Sequence, residues 1–129
     1  MTTWDLQHTK NHLFICNGGS CNHFGAEALT QAIRKEISHR EAEPLIHTTR
    51  TQCNGRCKDK CVVIHYPKGT WYKNVTPEDV PLFIKSILED TNYLDKVSHT
   101  YQGVFQRQCG IEKGFPKNDE FGKKSFENF

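Results

Sequence analysis

The placement of four cysteines constrains this chain more than any other feature. Cys16-Asn-Gly-Gly-Ser-Cys21 and Cys53-Asn-Gly-Arg-Cys57 lie on either side of one helix-length segment. Each pair follows an apolar or β-branched run that reads as a strand. Two soft ligands close in sequence, matched by two more on a neighbouring strand-loop, make a four-thiolate metal site. Structural zinc sites usually draw their cysteines from tighter knuckles. Here the gaps are four and three residues, which suit a dinuclear iron–sulfur cluster with one iron on each pair. Zinc on the same four thiols is the alternative.

The flanking pattern explains how the pairs would meet. His12-Leu-Phe-Ile-Cys16 is a short buried strand, and residues 24–38 carry Ala26, Leu29, Ile33 and Ile37 as one apolar helical stripe. Glu41-Ala-Glu-Pro44 ends that helix, and residues 45–51 form a second strand. Parallel strands joined by a helix imply a right-handed βαβ unit. Both cysteine pairs then lie beyond the carboxyl ends of the strands, at one edge of the sheet.

A hairpin follows, from Cys61-Val-Val-Ile-His-Tyr66 through the Pro67-Lys-Gly69 turn to Thr70-Trp-Tyr-Lys73. Thr76 and Pro77 mark a helix start, with Val75 and Val80 placed for a hydrophobic staple. Val80, Phe83, Ile84, Ile87 and Leu88 repeat at helical spacing, and Pro81 moves the expected start towards Asp79. Residues 97–106 read as a strand or hairpin, and residues 110–129 as a mobile tail. The expected fold is α/β and thioredoxin-like: a βαβ unit, then a ββα unit, with a central mixed sheet flanked by helices. Residues 1–94, with a core at 12–89, make the domain, and residues 95–129 a C-terminal extension.

The chain has 129 residues, six of them cysteine, a hydrophobic fraction of 36% and a formal charge of +2. That charge is too small to argue for nucleic acid. Two ferric ions, two sulfides and four thiolates carry net negative charge, so the basicity is largely the counter-charge to a cluster. The N-terminus has no signal-peptide core, and no run approaches the roughly 20 apolar residues that span a bilayer. A cytoplasmic protein is expected, where thiols stay reduced and point to metal or redox chemistry before disulfides.

Residues 12–89 resemble the thioredoxin-like 2Fe-2S ferredoxins and the small iron–sulfur subunit of respiratory NADH dehydrogenases. The likeness rests on the two cysteine stretches and on Val62-Val-Ile-His-Tyr-Pro-Lys-Gly-Thr-Trp-Tyr72 leading into Val75-Thr-Pro-Glu-Asp-Val80. The resemblance implies one 2Fe-2S cluster on Cys16, Cys21, Cys53 and Cys57. Cys61 stands where such proteins usually carry a non-ligating residue such as Pro. The family also implies a homodimer for the free-standing ferredoxins. The chain shows no extra N-terminal helical segment of the respiratory subunit, which favours that dimer; Trp71 and Tyr72 of the hairpin read as packing or as its apolar surface rather than a cofactor stack.

A one-electron carrier is the leading function, meeting a reductase or acceptor enzyme. No Gly-rich nucleotide loop, catalytic carboxylate pair or nucleophile with its base is visible. An iron–sulfur redox or iron sensor, or an accessory subunit, is the alternative. Thiol–disulfide exchange on this fold needs C-x-x-C, which is missing. His12 and His23 lie near the first pair without the pairing a Rieske centre needs. Gly18, Gly19 and Gly55 permit backbone N–H groups to approach cluster sulfur, or serve plain turns. Arg50, Arg56, Lys58 and Lys60 make either a docking patch for an acidic partner or a solvated loop. Cys61 reads as a buried inert thiol or a substitute ligand, and Cys109 as an exposed free thiol.

Overall fold

In the computed structural model, which describes residues 2–117, the chain opens with the βαβ unit. Strand β1 (Asn11–Cys16) runs parallel to β2 (Ile46–Thr51), in a register that sets Cys16 opposite Thr51. The crossover helix α2 (Ala26–His39) buries Ala26, Leu29, Thr30, Ile33 and Ile37. It starts two residues later than the apolar stripe suggests, because Gly25 takes a left-handed φ of 91°. A separate five-residue helix, α1 (Gly19–His23), precedes it and carries Cys21. That break was not visible in the periodicity.

Strand β3 (Val63–Tyr66) pairs antiparallel with β1, and a tight turn returns the chain as β4 (Thr70–Tyr72). Thr76 and Asp79 then form a reciprocal capping box over the 3-10 turn Pro77–Asp79. Helix α3 (Val80–Leu88) begins after it, so Pro81 falls in the first turn, where a missing N–H costs nothing. Its buried face is Val80, Phe83, Ile84 and Ile87. Phe83 meets Tyr72 edge-on at 4.8 Å.

The sheet continues past β4 into β5 (Val97–Tyr101) and β6 (Phe105–Arg107), in the order β2-β1-β3-β4-β5-β6. Register fixes the faces. Leu13, Ile15, Val63, His65 and Tyr72 share the side on which α2 and α3 pack. His12, Phe14, Ile64, Trp71, His99 and Phe105 share the other, which neither α2 nor α3 covers. Trp71 is therefore mid-sheet and half-buried, 6.2 Å from the Phe105 ring and 6.3 Å from the His99 ring. The packing role read for Trp71 comes from β5, which pairs along the outer edge of β4. Residues 118–129, with most of the stretch read as a tail, lie outside the described residues. Among the described residues no helix is long and apolar enough to cross a membrane.

Candidate iron–sulfur site

Parallel pairing of β1 and β2 delivers both cysteine loops to one end of the sheet. The two loops stay tied where they leave it: Cys16 N–H donates to the Val62 carbonyl at 3.0 Å, and Asn17 N–H to the Thr51 carbonyl at 2.8 Å. Cys16 ends β1 and Cys21 sits on α1, each only 3% exposed. Cys53 and Cys57 are exposed. All four line one small cavity of about 10 Å³, with Gly18, Asn54 and Arg56 among its other walls. That is too small for a nucleotide or a drug-sized substrate.

Sulfur spacing agrees with paired rather than convergent ligation. Cys53 and Cys57 Sγ are 3.7 Å apart, close to the edge of a thiolate tetrahedron with metal–sulfur bonds of about 2.3 Å. Among the described residues no three His, Cys, Asp or Glu side chains are gathered around a single metal position. Two irons, each held by one pair, would ask for two pairs side by side, and Cys16, Cys21, Cys53 and Cys57 line the same pocket.

The glycines divide by role. A Cβ on Gly18 would lie 2.7 Å from Cys53 Cα and 2.8 Å from its N and Cβ, so the two ligand loops touch through Gly18. Gly55 takes a φ of 81° and donates its N–H to Cys53 Sγ at 3.3 Å. Gly19 has nothing within 4 Å of a Cβ and only opens α1.

The buried thiols titrate apart. Burial alone would push Cys16 up, but hydrogen bonds from Gly18, Cys21 and Asn54 outweigh it and hold that thiol below its usual range. Burial pushes Cys21 up, with Cys16 beside it adding to the rise. Burial also raises Cys61, whose Sγ faces the Cys21 carbonyl at 3.6 Å and the Phe24 carbonyl at 3.8 Å. Cys109 is exposed. Among the described residues no histidine lines the pocket: His12 bonds Thr49 at 2.7 Å and His65 bonds Asn11 at 2.8 Å.

Each cation of the second loop has a partner. Arg50 forks onto Glu27 with two 2.8 Å bonds, and these hold the Glu27 carboxyl down to about 2. Arg56 meets the buried Asp59 carboxylate at 2.7 Å and donates to the Glu112 carbonyl. Lys58 approaches Glu112 at 3.5 Å, and Lys60 lies 4.6 Å over the Phe24 ring. Asp59 was readable from its position in the loop. Glu112, 56 residues from Arg56 along the chain, was not.

Four thiols in two pairs, an N–H aimed at sulfur and a glycine contact between the loops fit a 2Fe-2S cluster. No family model matches the chain. A putative 2Fe-2S ferredoxin from Priestia megaterium is 55% identical over 76 residues, which is 59% of this chain and 59% of that protein. The chain thus spans less than two-thirds of that relative. A 2Fe-2S ferredoxin from Clostridium pasteurianum is 30% identical over 93 residues, 66% of this chain and 91% of its own. A solved thioredoxin-like 2Fe-2S ferredoxin from Aquifex aeolicus superposes with a TM-score of 0.68 at 27% identity, covering 73% of this chain and 94% of that one. The fold and site define a cluster-binding thioredoxin-like domain. The chain belongs to the thioredoxin-like 2Fe-2S ferredoxin family.

Proposed function

We infer that this chain is a one-electron carrier, not an enzyme, holding one 2Fe-2S cluster on Cys16, Cys21, Cys53 and Cys57. The observation that carries the reading is that these four thiols, drawn from the ends of two parallel strands, line a single pocket. When bound, the cluster supplies a site that accepts and returns one electron. The protein's part is positional. Cys16 and Cys21 hold one half away from water, the Gly55 N–H is set against sulfur, and Cys53 and Cys57 open the other half to a partner. All-thiolate ligation favours the ferric state and a low potential. Protein made with iron available is expected to be brown, bleached by dithionite, with about two irons and two acid-labile sulfides per chain. Stoichiometric zinc, or about four irons, overturns the assignment.

The same proposal extends to partners. A redox partner with an acidic surface would meet the exposed loop, supported by Lys58, whose side chain is 78% exposed. A homodimer is supported by the sheet face that α2 and α3 leave open, where Tyr66, Tyr101 and Phe105 are exposed and Trp71 is half-buried. Light scattering at tens of micromolar tests it: a dimer mass is expected, and a monomer mass removes this part. Six free cysteines fit a reducing, cytoplasmic setting.

A further inference from the structure

We propose that Arg56 is a positioning residue for the exposed half of the site, acting by tying the Cys57 loop to a strap formed by residues 111–115. The inference rests on the cluster reading above. Arg56 is a loop residue beside a ligand, yet its side chain is only 18% exposed and points away from solvent. One edge of the guanidinium meets Asp59, whose carboxylate is 7% exposed, while Nη2 donates to the Glu112 carbonyl. The Gly114 backbone passes flush against it: a Cβ there would sit 3.3 Å from Nη1. The strap is anchored at its other end. Ile111 is buried, its carbonyl accepts from Arg107 at 2.9 Å, and Gln108 N–H donates to Ser98 of β5 at 2.9 Å. Gly55, Cys57 and Lys58 on one side and Glu112, Lys113 and Phe115 on the other then wall one groove.

The planar guanidinium holds its donors in a fixed fork, so Nε meets the Asp59 carboxylate while Nη2 reaches the Glu112 carbonyl. A lysine at position 56 keeps the charge and the Asp59 pair but loses the strap. Freed from the strap, the loop opens more often, and water and chelators reach the Cys57 iron. The strap therefore limits cluster loss and sets solvent access to the half of the site that a partner meets.

Full-length holoprotein provides the test, with Arg56→Lys, Ile111→Ser and the double variant. Cluster loss to excess EDTA, followed by visible absorbance, is expected to quicken roughly tenfold in each single variant, the scale of a charged hydrogen bond. Because both act through one strap, the double variant is expected to be no faster than either single one. Reduction potentials in both single variants are expected to move positive as water reaches the cluster, although neither changes the formal charge. Multiplying rates in the double variant, or wild-type rates and potentials in both singles, overturn the proposal. Amide hydrogen exchange on the metal-free chain separates this result from failure of the cluster reading. Faster exchange at residues 54–59 in Ile111→Ser supports the tie whether or not a cluster binds, and unchanged exchange refutes it.

Discussion

Replacing Gly18 by Ala tests the contact that holds the two ligand loops together. Gly18 has φ −65° and ψ 172°, a conformation open to any residue, so its need for glycine is one of space alone. The new Cβ would stand 2.7 Å from Cys53 Cα, a backbone atom that cannot rotate away. Reaching an ordinary contact of about 3.4 Å moves the second loop by about 0.7 Å, several times the ±0.2 Å within which ligand distances must fall. Overpacking of this kind costs about 1–3 kcal/mol. In a domain of this size that lowers the melting midpoint by roughly 5–15 °C. The expected result is a folded but less stable chain with clearly less than wild-type iron after reconstitution, measured by thermal melting of the metal-free protein and by iron and sulfide analysis. Gly19→Ala is the control, since nothing lies within 4 Å of its Cβ. It is expected to melt and load like wild type. Full cluster content in Gly18→Ala, at an unchanged midpoint, would refute the reasoning.

Cys16, Cys21, Cys53 and Cys57 are each expected to lose or spectrally alter the cluster as Ser variants, whereas Cys61→Ser and Cys109→Ser keep it; visible spectra of the purified proteins decide. A cluster lost in Cys61→Ser would mean the ligand set is wrong. His65 is 1% exposed, and burial, followed by the charge of Lys68, lowers its pKa from 6.5 to about 4. Its folded state prefers the neutral ring, so stability is complete above pH 6.5 and falls by up to roughly 3 kcal/mol as pH drops towards 4. Urea unfolding of the metal-free chain across that range measures the slope, and His65→Gln is expected to flatten it. Asp79 accepts from Thr76 N–H and Tyr93 O–H, both at 2.9 Å. Burial raises its pKa, but these bonds and Lys96 outweigh it and hold the carboxyl below 3.8. Its contribution is present above that value and lost as pH falls through the folded pKa. Asp79→Ala is expected to cost about 1–2 kcal/mol at pH 7 by loss of the cap, read from the same urea curves.

The parts of this fold that repeat along the chain were legible in it. Alternation and helical spacing placed β1, β2, α2 and the buried face of α3 to within a residue or two, and parallel pairing then brought Cys16 and Cys53 to one edge. Helix α1 was not legible, because five residues carry no period and Gly25 acts through its backbone rather than its side chain. Half of the burial asymmetry was readable. Leu13, Phe14 and Ile15 precede Cys16, whereas His47, Thr48, Thr49 and Arg50 precede the exposed pair. How far Trp71 is buried was not legible, because its cover comes from β5 and β6, whose residues look polar singly. The strap was invisible for a similar reason. Its anchor is one isoleucine among Gly, Lys and Glu, and its bond to Arg56 uses a backbone carbonyl.

The charges near the site bear on how a partner would recognise it. Four cations around one anionic group suggest a strong attractive field, but Glu27, Asp59 and Glu112 each sit against one or more of them. Arg56 is nearly cancelled by Asp59, and Lys60 is turned onto the Phe24 ring. Exposed pairs such as Arg50 with Glu27 contribute little to stability, and salt screens them further. Lys58 remains the most open cation of the loop, and Lys113 lies across the groove from it. With the thiolates assigned as proposed, discrimination among partners then depends more on the shape of that groove than on net charge. Cys57 and Lys58 face Glu112, Lys113 and Phe115 across that groove, so under the strap proposal the loop's contact with residues 111–115 bears on both cluster retention and access to the Cys57 side of the site.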